Sequence, residues 1–376
     1  MEEANLIGEI PNSIGNMLAL ETFDLSLNYV NGSIPNGLFL LPNLTTLYLF
    51  YNMLSGSIPQ RVEALKLESI DLSNNTLTGT IPDDFGNLTN LTSLVLYSNR
   101  LSGPIPLNIG RLPKLVDVRL WSNKLSGELP PDFGLYSPLE ALQVSRNQFV
   151  GELPKHLCKN KALIGVIAYD NKLKGQLPPD LGDCSSLIII RVEQNELSGE
   201  VPPGLWTSIN LTTLTLNDNA FSGNLPNKVG PLFSMIEVMN NQFSGPIPAG
   251  ISSWKSLTAF KASNNSLTGS IPMQMTKLTS LSIILLDRNK LTGILPYKIS
   301  WKNLTTLNLS RNGFFGSVPA ALGYLPNLVN LDLSSNALWG EIPKVFEQAQ
   351  FNASFLNNPG LCSNNETLHL KKCIGK

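Results

Sequence analysis

Apolar residues recur along this chain in one fixed frame, and an asparagine marks each return of the frame. Around one of these asparagines the chain reads Leu91, Leu94, Leu96, Asn99, Leu101, Gly103, Ile105 and Pro106, the pattern LxxLxLxxNxLxGxIP. The asparagine returns every 22 to 24 residues, at Asn28, Asn52, Asn75, Asn99, Asn123, Asn147, Asn171, Asn195, Asn219, Asn241, Asn265, Asn289, Asn312 and Asn336. This period predicts stacked coils, each carrying one short strand.

The leucines of each coil are expected to point inward and to stack on those of neighbouring coils. The asparagine is the polar inward residue, and we expect its amide to bond backbone groups of its turn because buried polar groups need partners. Glycine then permits a turn with positive φ, and proline fixes an extended exit. The predicted fold class is an α/β-type repeat, a leucine-rich repeat solenoid with a parallel concave β-sheet and a 3-10 or irregular convex side.

Such a uniform repeat overrides the usual division of a 376-residue chain into globular domains. We expect residues 1–345 to form the solenoid, as a partial first repeat plus 14 strand-bearing repeats, and residues 346–376 to form a C-terminal cap. The chain starts inside a repeat, with Ala4 in the asparagine position and with neither an N-terminal cap nor a signal peptide. This start indicates a fragment or a truncated gene model.

Net charge argues against a nucleic-acid ligand, and hydropathy argues against a membrane-spanning segment in this chain. The net charge of -1 provides no basic field for a phosphate backbone, so nucleic acid is not expected as a ligand. A membrane-spanning helix needs about 18 consecutive apolar residues, and the sequence contains no such run.

Cysteines and sequons favour secretion. The four cysteines form two plausible pairs, Cys158 with Cys184 in adjacent repeats and Cys362 with Cys373 after the last repeat; free thiols are the alternative. Eleven Asn-x-Ser/Thr sequons are candidate glycosylation sites, although an asparagine-rich chain creates many by chance. They begin at Asn31, Asn43, Asn74, Asn87, Asn90, Asn210, Asn264, Asn303, Asn308, Asn352 and Asn365.

The Gly-x-Ile-Pro step after the asparagine resembles the plant type of leucine-rich repeat, and the likeness covers essentially the whole chain. It implies a second short sheet beside the first. The tail FNASFLNNPGLCSNNETLHLKKC is similar to the C-terminal cap of plant receptor-like kinase ectodomains. The phrases LCKNKAL and LGDCSSL, at Cys158 and Cys184, resemble those of the HAESA and HAESA-like peptide-hormone receptors. In such receptors a transmembrane helix and a serine/threonine kinase domain would follow near Lys376.

One departure from that group concerns ligand recognition. Several of its receptors carry Arg-x-Arg on one inner strand, which grips the carboxylate at the peptide's C-terminus. The corresponding positions here are Ile189 and Arg191, so half of the clamp is present. The likeness is closest to the third HAESA-like branch, in which the motif is also not expected.

The residues that alternate with the inward leucines point outward on the concave sheet. Core packing does not constrain them, so they can vary to suit a binding partner. In the positions two and four before the asparagine, the repeats between Tyr48 and Arg191 carry aromatics and cations, which dominate interface hot spots. Single exposed aromatics are ordinary, but these are confined to neighbouring coils. The predicted ligand-binding residues are Tyr48, Phe50, Tyr97, Arg119, Trp121, Ile167, Tyr169, Ile189, Arg191 and Glu193.

Catalytic signals are weak. DFG occurs at Asp84–Gly86 and Asp132–Gly134, but both lie in the outer turn of a repeat and no kinase catalytic loop accompanies them. Two histidines, His156 and His369, are too few for a triad or a zinc site. We therefore expect no enzyme activity, no metal and no cofactor in this chain.

The leading hypothesis is the extracellular region of a plant receptor-like kinase at the plasma membrane. It would bind a secreted peptide on its concave face and, by resemblance, pair with a co-receptor of the somatic embryogenesis receptor-like kinase type near the last repeats. A soluble defence protein such as a polygalacturonase inhibitor is the alternative, although those proteins are usually shorter. An ice-binding repeat protein is disfavoured, because it would need a flat, regular Thr or Ser face.

Overall fold

The computed structural model describes residues 2–373, so Met1 and residues 374–376 of the expected cap lie outside the described part. Two compact units are present, residues 1–197 and 198–376. Both consist of leucine-rich repeat coils with parallel strands and few helices, as the period predicts.

In the first unit the main sheet is parallel, and each strand pairs with the strand one repeat along the chain. Its strands are Thr22–Asp24, Thr46–Tyr48, Ser69–Asp71, Ser93–Val95, Asp117–Arg119, Ala141–Gln143, Gly165–Ile167 and Ile189–Arg191. Shorter strands beyond the ladder asparagines form further parallel sheets, at Ile7–Glu9, Tyr29–Ser33, Met53–Ser55, Ser102–Gly103, Lys124–Glu128, Gln148–Val150, Lys174–Gly175 and Glu196–Glu200, the last of which contains the unit boundary. The outer turns include 3-10 helices at Asn12–Asn16, Asn36–Leu40, Asp83–Asn87, Leu107–Arg111 and Pro179–Asp183.

The second unit repeats this plan. Its main-sheet strands are Thr213–Thr215, Met235–Glu237, Ala259–Lys261, Ile283–Leu285, Thr306–Asn308 and Asn330–Asp332. Its shorter strands are Ala220–Asn224, Gln242–Pro246, Ser266–Gly269, Lys290–Ile294, Gly313–Gly316, Ala337–Glu341 and Gly360–Cys362. One short α-helix spans Pro203–Thr207, and 3-10 helices span Ala249–Ser253, Met275–Lys277, Ala320–Tyr324, Lys344–Phe346, Ala349–Phe351 and Glu366–Leu368.

The asparagine ladder has the hydrogen bonds that the sequence predicts. The Asn99 amide nitrogen donates to the carbonyls of Leu72 and Leu96, at 2.9 and 3.2 Å. Its side-chain oxygen accepts from the Leu77 backbone N–H at 3.0 Å. Each such amide therefore satisfies backbone groups of the preceding repeat as well as its own, which couples neighbouring coils.

A feature that the sequence did not reveal lies immediately before each ladder asparagine. The residue there adopts the left-handed conformation, with φ between 51° and 57°, at Leu27, Tyr51, Asn74, Ser98, Ser122, Arg146, Asp170, Gln194, Asp218, Asn240, Asn264, Arg288, Arg311 and Ser335. This conformation is uncommon for residues other than glycine. Backbone hydrogen bonds to the next coil hold it, as from the Arg146 N–H to the Tyr169 carbonyl at 2.9 Å.

Both cysteine pairs suggested by the sequence are bonded. Cys158 and Cys184, in successive outer turns, have Cα atoms 5.8 Å apart, and both are buried. Cys362 and Cys373 have Cα atoms 4.9 Å apart and are half-buried. The first bond ties two adjacent coils together, and the second closes the segment after the last repeat.

Candidate functional site

The candidate site lies on the main sheet of the first unit. We use "strand face" for the side that carries the positions four and two residues before each ladder asparagine. At its start, the rings of Tyr48 and Phe50 meet edge to face with centroids 6.1 Å apart. The Tyr48 hydroxyl lies 3.1 Å from the Ser69 hydroxyl on the next strand. Both aromatic side chains are half-buried, so each also presents surface to solvent.

Two repeats further along, the rings of Tyr97 and Trp121 stack face to face. Their centroids are 4.3 Å apart and their planes differ by 7°. The two residues occupy the same position in adjacent repeats, where the strands pair Val95 with Arg119. Aromatic pairs in contact contribute about 0.5–1.5 kcal/mol beyond the area they bury. The stack thus forms a rigid aromatic wall on the strand face, half-exposed to solvent.

Tyr169 lies at the centre of a cationic cluster. The Arg191 guanidinium carbon is 4.6 Å from the centroid of the Tyr169 ring, and that of Arg146 is 5.7 Å away. Both distances are within the range of a cation–π interaction. Arg191 also donates to the Glu193 carboxylate, from Nη2 at 2.5 Å and from Nε at 3.0 Å.

Arg119 is paired in a similar way. Its Nε lies 2.9 Å from an oxygen of Asp117, two residues earlier on the same strand. Side chains two apart in a strand share a face, so such a pair forms locally. Both predicted cations, Arg119 and Arg191, therefore already hold a carboxylate.

The remaining predicted ligand-binding residues lie close to this cluster. Ile167 is the register partner of Arg191, and Ile189 is on the same strand as Arg191. Both isoleucines are half-buried. The structure thus brings Ile167, Tyr169, Ile189, Arg191 and Glu193 together, whereas Tyr48 and Phe50 lie six strands away from Arg191 on the same sheet.

Acidic residues on the strand face hold serines two residues later. Asp71 accepts from the Ser73 backbone N–H at 2.9 Å and from its hydroxyl at 2.6 Å. Burial raises the pKa of the Asp71 carboxyl, while these hydrogen bonds and the charge of Arg119 act in the opposite direction. The Asp24–Ser26 pair makes the same two hydrogen bonds.

Two residues that sequence reasoning did not single out belong to the site. Arg146 contacts the ring of Tyr169, and Ser145 lies between Trp121 and Tyr169 in the same repeat position. Ser145 follows Gln143, whereas Ser26 and Ser73 each follow an Asp at the same position, and that difference is visible in the sequence. Arg146 left no comparable signal, because the pattern did not predict the left-handed conformation that Arg146 itself adopts.

The two DFG segments contribute to packing. Phe85 and Phe133 are both fully buried under their outer turns. His156 and His369 are both exposed. Within residues 2–373 no group of three His, Cys, Asp or Glu side chains is placed to hold a metal ion. In the same range no helix has the length and apolarity to cross a bilayer. The repeats form a leucine-rich repeat fold and not a kinase domain.

The sequons differ in exposure. Asn87, Asn210, Asn264, Asn303 and Asn352 are exposed, whereas Asn31, Asn43, Asn74, Asn90, Asn308 and Asn365 are half-buried. The Asn74 amide nitrogen is buried and has no hydrogen-bond partner. Asn308 lies on the strand face of the second unit, at the end of the strand Thr306–Asn308.

Comparison with known proteins supports a plant receptor fold. Leucine rich repeat family models match residues 279–338 and residues 43–65, 66–88 and 90–112. No curated protein matches the chain significantly.

Among solved structures, the Arabidopsis receptor kinase HAESA in complex with the peptide hormone IDA and the co-receptor SERK1 is 36% identical, with a TM-score of 0.90. That match covers 96% of this chain and 65% of the HAESA chain. A TDR receptor is 36% identical, with a TM-score of 0.86. That match covers 95% of this chain and 61% of the TDR chain. The plant peptide hormone receptor RGFR1 in complex with RGF2 is 31% identical, with a TM-score of 0.86. That match covers 96% of this chain and 58% of the RGFR1 chain.

The chain thus spans less than two thirds of each of these receptors. The repeat code, the ladder and the solved neighbours agree. The chain belongs to the leucine-rich repeat proteins and has the fold of plant leucine-rich repeat receptor kinase ectodomains.

Proposed function

We propose that this chain is the ligand-binding part of a plant receptor-like kinase and that it binds a secreted peptide on the strand face of the first unit. The observation that carries the proposal is the row formed by the Tyr97–Trp121 stack and the Tyr169–Arg191 cluster. These side chains are half-exposed on one sheet. Aromatic and arginine side chains in such positions are the usual anchors of a protein interface.

The dimensions of the row suit an extended peptide. Seven neighbouring strands carry the residues from Tyr48 to Arg191. Neighbouring strands lie about 4.8 Å apart, so six intervals span about 29 Å, the length of roughly nine extended residues. A peptide of that size would lie across the strands, with its side chains in the spaces between the anchors.

The structures of related receptors support the same role. HAESA is bound to the peptide hormone IDA, and RGFR1 is bound to RGF2. HAESA and TDR are equally identical to this chain, so membership of the HAESA group, and of its third HAESA-like branch, rests on the sequence phrases around Cys158 and Cys184.

A co-receptor of the somatic embryogenesis receptor-like kinase type is proposed to dock near the last repeats and the C-terminal cap. We assign residues 1–345 to the solenoid and residues 346–376 to that cap. The structure of HAESA includes the co-receptor SERK1. In this chain an open groove of about 500 Å³ runs beside the last strands, lined by small polar residues such as Asn308, Ser334 and Ser354. A groove of this size would take a few side chains of a docking protein.

The proposed location is the extracellular face of the plasma membrane. Two disulfide bonds suit an oxidising compartment, because cytosolic thiols are kept reduced. The exposed sequons suit a glycoprotein made in the secretory pathway.

Binding of secreted plant peptides to the purified chain tests the proposal. We expect at least one peptide, IDA included in the panel, to bind by calorimetry. Substitution of Trp121→Ala together with Arg191→Ala is expected to weaken it by tenfold or more, because hot-spot truncations cost about 2 kcal/mol or more. Trp339→Ala is the matched control, since Trp339 is exposed on a short-strand sheet of the second unit.

Equal affinity of the wild type and the double variant would refute the assigned surface. The defence alternative makes a different prediction. A polygalacturonase that binds this surface, with no peptide bound, would assign the chain to enzyme inhibition instead.

A further inference from the structure

Four large apolar side chains are exposed side by side on the short strands of the second unit and the turns that follow them. Tyr297, Ile294, Phe315 and Met273 are 61%, 55%, 48% and 39% exposed. Ile294 and Phe315 are register partners on adjacent strands. Met273 and Tyr297 are equivalent residues of adjacent coils, each directly after the proline of its Gly-x-Ile/Leu-Pro step. Contiguous exposed apolar residues of this kind mark interaction surfaces.

Two of these apolar residues stand where the repeat usually has polar ones. The residue just before the glycine of each step, where Phe315 stands, is Ser or Thr in most repeats, as at Ser244 and Thr292. The residue just after that glycine, where Ile294 stands, is polar, charged or proline in the other repeats. A half-exposed side chain adds little to the core, so folding does not account for these apolar residues.

The four side chains border a groove of about 420 Å³, which we call the apolar groove. The buried side chains of Ile271 and Leu295 also line it, and Ser270 and the Tyr297 hydroxyl supply the polar side-chain groups of its lining. Its two aromatic side chains, each roughly half exposed, present about 200 Å² to solvent. A standard interface buries about 800 Å² per partner, so the apolar groove can form the core of one.

The charges beside the apolar groove are positive. Its three short strands and the turns after them comprise residues 266–275, 290–299 and 313–322, in which Lys290 and Lys298 are the charged residues. The Lys298 Nζ is 5.9 Å from the centroid of the Tyr297 ring. Neither lysine is in an ion pair with any residue of the described range 2–373. The three segments contain no asparagine, so no N-linked glycan is attached to them.

We propose that the apolar groove is a docking site for a second protein, which inserts an apolar side chain and places carboxylates opposite Lys290 and Lys298. Complementary charges around an apolar core steer association and fix its orientation. A second copy of this chain fits less well, because a two-fold contact would bring the lysines of one groove against those of the other. A bilayer surface also fits less well, since a concave groove suits a protruding side chain.

This inference goes beyond peptide binding, which is proposed for the strand face of the first unit. The apolar groove belongs to the short-strand sheet of the second unit, whereas the groove beside Asn308, proposed for the co-receptor, lies on the main sheet. Docking at the apolar groove therefore does not require a bound peptide.

Two synthetic peptides test the docking chemistry. Both have the apolar centre Leu-Phe-Leu, which is flanked by glutamates in one peptide and by lysines in the other, and their binding to the full chain is measured by fluorescence anisotropy. We expect the acidic peptide to bind at least tenfold more tightly than the basic one. Lys290→Glu together with Lys298→Glu is expected to reverse this preference. Equal binding of the two peptides to the wild type would overturn the proposal.

Variants of the groove keep folding and binding apart. Ile294→Thr together with Phe315→Ser introduces residue types that other repeats carry at these positions, so the Tm is expected to stay at the wild-type value. Affinity for the acidic peptide is expected to fall at least tenfold. Val150→Ser is the matched control, because Val150 occupies the position of Phe315 in a repeat of the first unit and is 39% exposed. Unchanged affinity in the double variant, or an equal loss in Val150→Ser, would refute the assigned groove.

Sedimentation distinguishes the other occupants. We expect the wild type to sediment as a monomer and to stay in solution when vesicles of phosphatidylcholine and phosphatidylserine are pelleted. Self-association that is lost in the double variant Ile294→Thr, Phe315→Ser would assign the groove to a second copy of the chain. Vesicle binding that is lost in that variant would assign it to a membrane surface. Either result would overturn the proposed protein partner.

Discussion

The indole of Trp121 lies flat against the phenol ring of Tyr97, with centroids 4.3 Å apart. The two side chains are 24 residues apart in sequence and come from equivalent positions of adjacent coils. Each position on the strand face is thus next to the equivalent position of the following repeat. Side chains at equivalent positions, such as two aromatic rings, can therefore contact each other. The stack is the clearest case in the first unit, and it gives the proposed ligand surface a rigid element.

Mutual stabilisation of these rings is expected in a double-mutant cycle. Tyr97→Leu and Trp121→Leu should show a coupling of about 1 kcal/mol in the free energy of unfolding, because stacked aromatics gain about 0.5–1.5 kcal/mol beyond burial. Chemical denaturation measures it. Tyr97→Leu combined with Trp339→Leu serves as the control, and those effects should add within about 0.5 kcal/mol. Additive behaviour of the stacked pair would contradict the geometry.

The asparagine ladder is expected to dominate the stability of each coil. Asn99→Ala should lower the free energy of unfolding by about 1–3 kcal/mol, because it leaves the Leu77 N–H without its partner and removes one of the two amide hydrogen bonds to the Leu72 carbonyl. Asn108→Ala, on the exposed outer turn of the same coil, should change it by less than about 0.5 kcal/mol. The first unfolding transition in urea is the measurement, and equal effects of the two variants would refute the ladder's role.

Asp71 is expected to make stability depend on pH. Burial raises its pKa in the folded state, so the folded protein binds this proton more tightly than the unfolded chain. The resulting stabilisation is complete below the unfolded pKa of about 3.9 and is lost as pH rises through the folded value. Asp71→Asn abolishes this dependence, and Asn308 shows that an asparagine can hold the following serine in the same way.

The measurement for Asp71 is urea denaturation of the wild type and Asp71→Asn across acidic pH. The wild type should lose stability relative to the variant as pH rises. A constant difference between the two proteins over that range would mean that the carboxyl does not titrate differently on folding.

Glycan occupancy is expected to differ between two equivalent sequons. Asn74 and Asn264 occupy the same repeat position with φ of 51° and 53°, and each precedes a ladder asparagine. The Asn264 side chain is exposed, whereas the Asn74 amide nitrogen, to which a glycan would be attached, is buried. Glycopeptide mass spectrometry of the folded, secreted chain should find Asn264 modified and Asn74 unmodified. Full occupancy of Asn74 would contradict its burial.

Much of the fold could be predicted because every repeat has the same sequence pattern and therefore forms the same coil. The inward leucines, the ladder asparagine and the Gly-x-Ile-Pro step each have a single physical role, and every repeat restates it. The Cys158–Cys184 pair followed from the same logic, since both residues fall in equivalent turns of adjacent coils. The sequence also showed that the solvent-facing aromatics are confined to neighbouring strands. This was visible because strand positions alternate between core and solvent, which identifies the positions that face solvent.

The sequence by itself determined the repeat, its core and the row of side chains that faces solvent, because apolar spacing and backbone hydrogen bonding act within and between neighbouring coils. Only the tertiary structure decided which of those side chains are already engaged. Arg119 and Arg191 are bound by carboxylates, the buried Ser145 hydroxyl makes no hydrogen bond, and Arg146, itself in the left-handed conformation, lies over the Tyr169 ring. Rotamers and partners across coils depend on three-dimensional proximity, which a one-dimensional period does not specify.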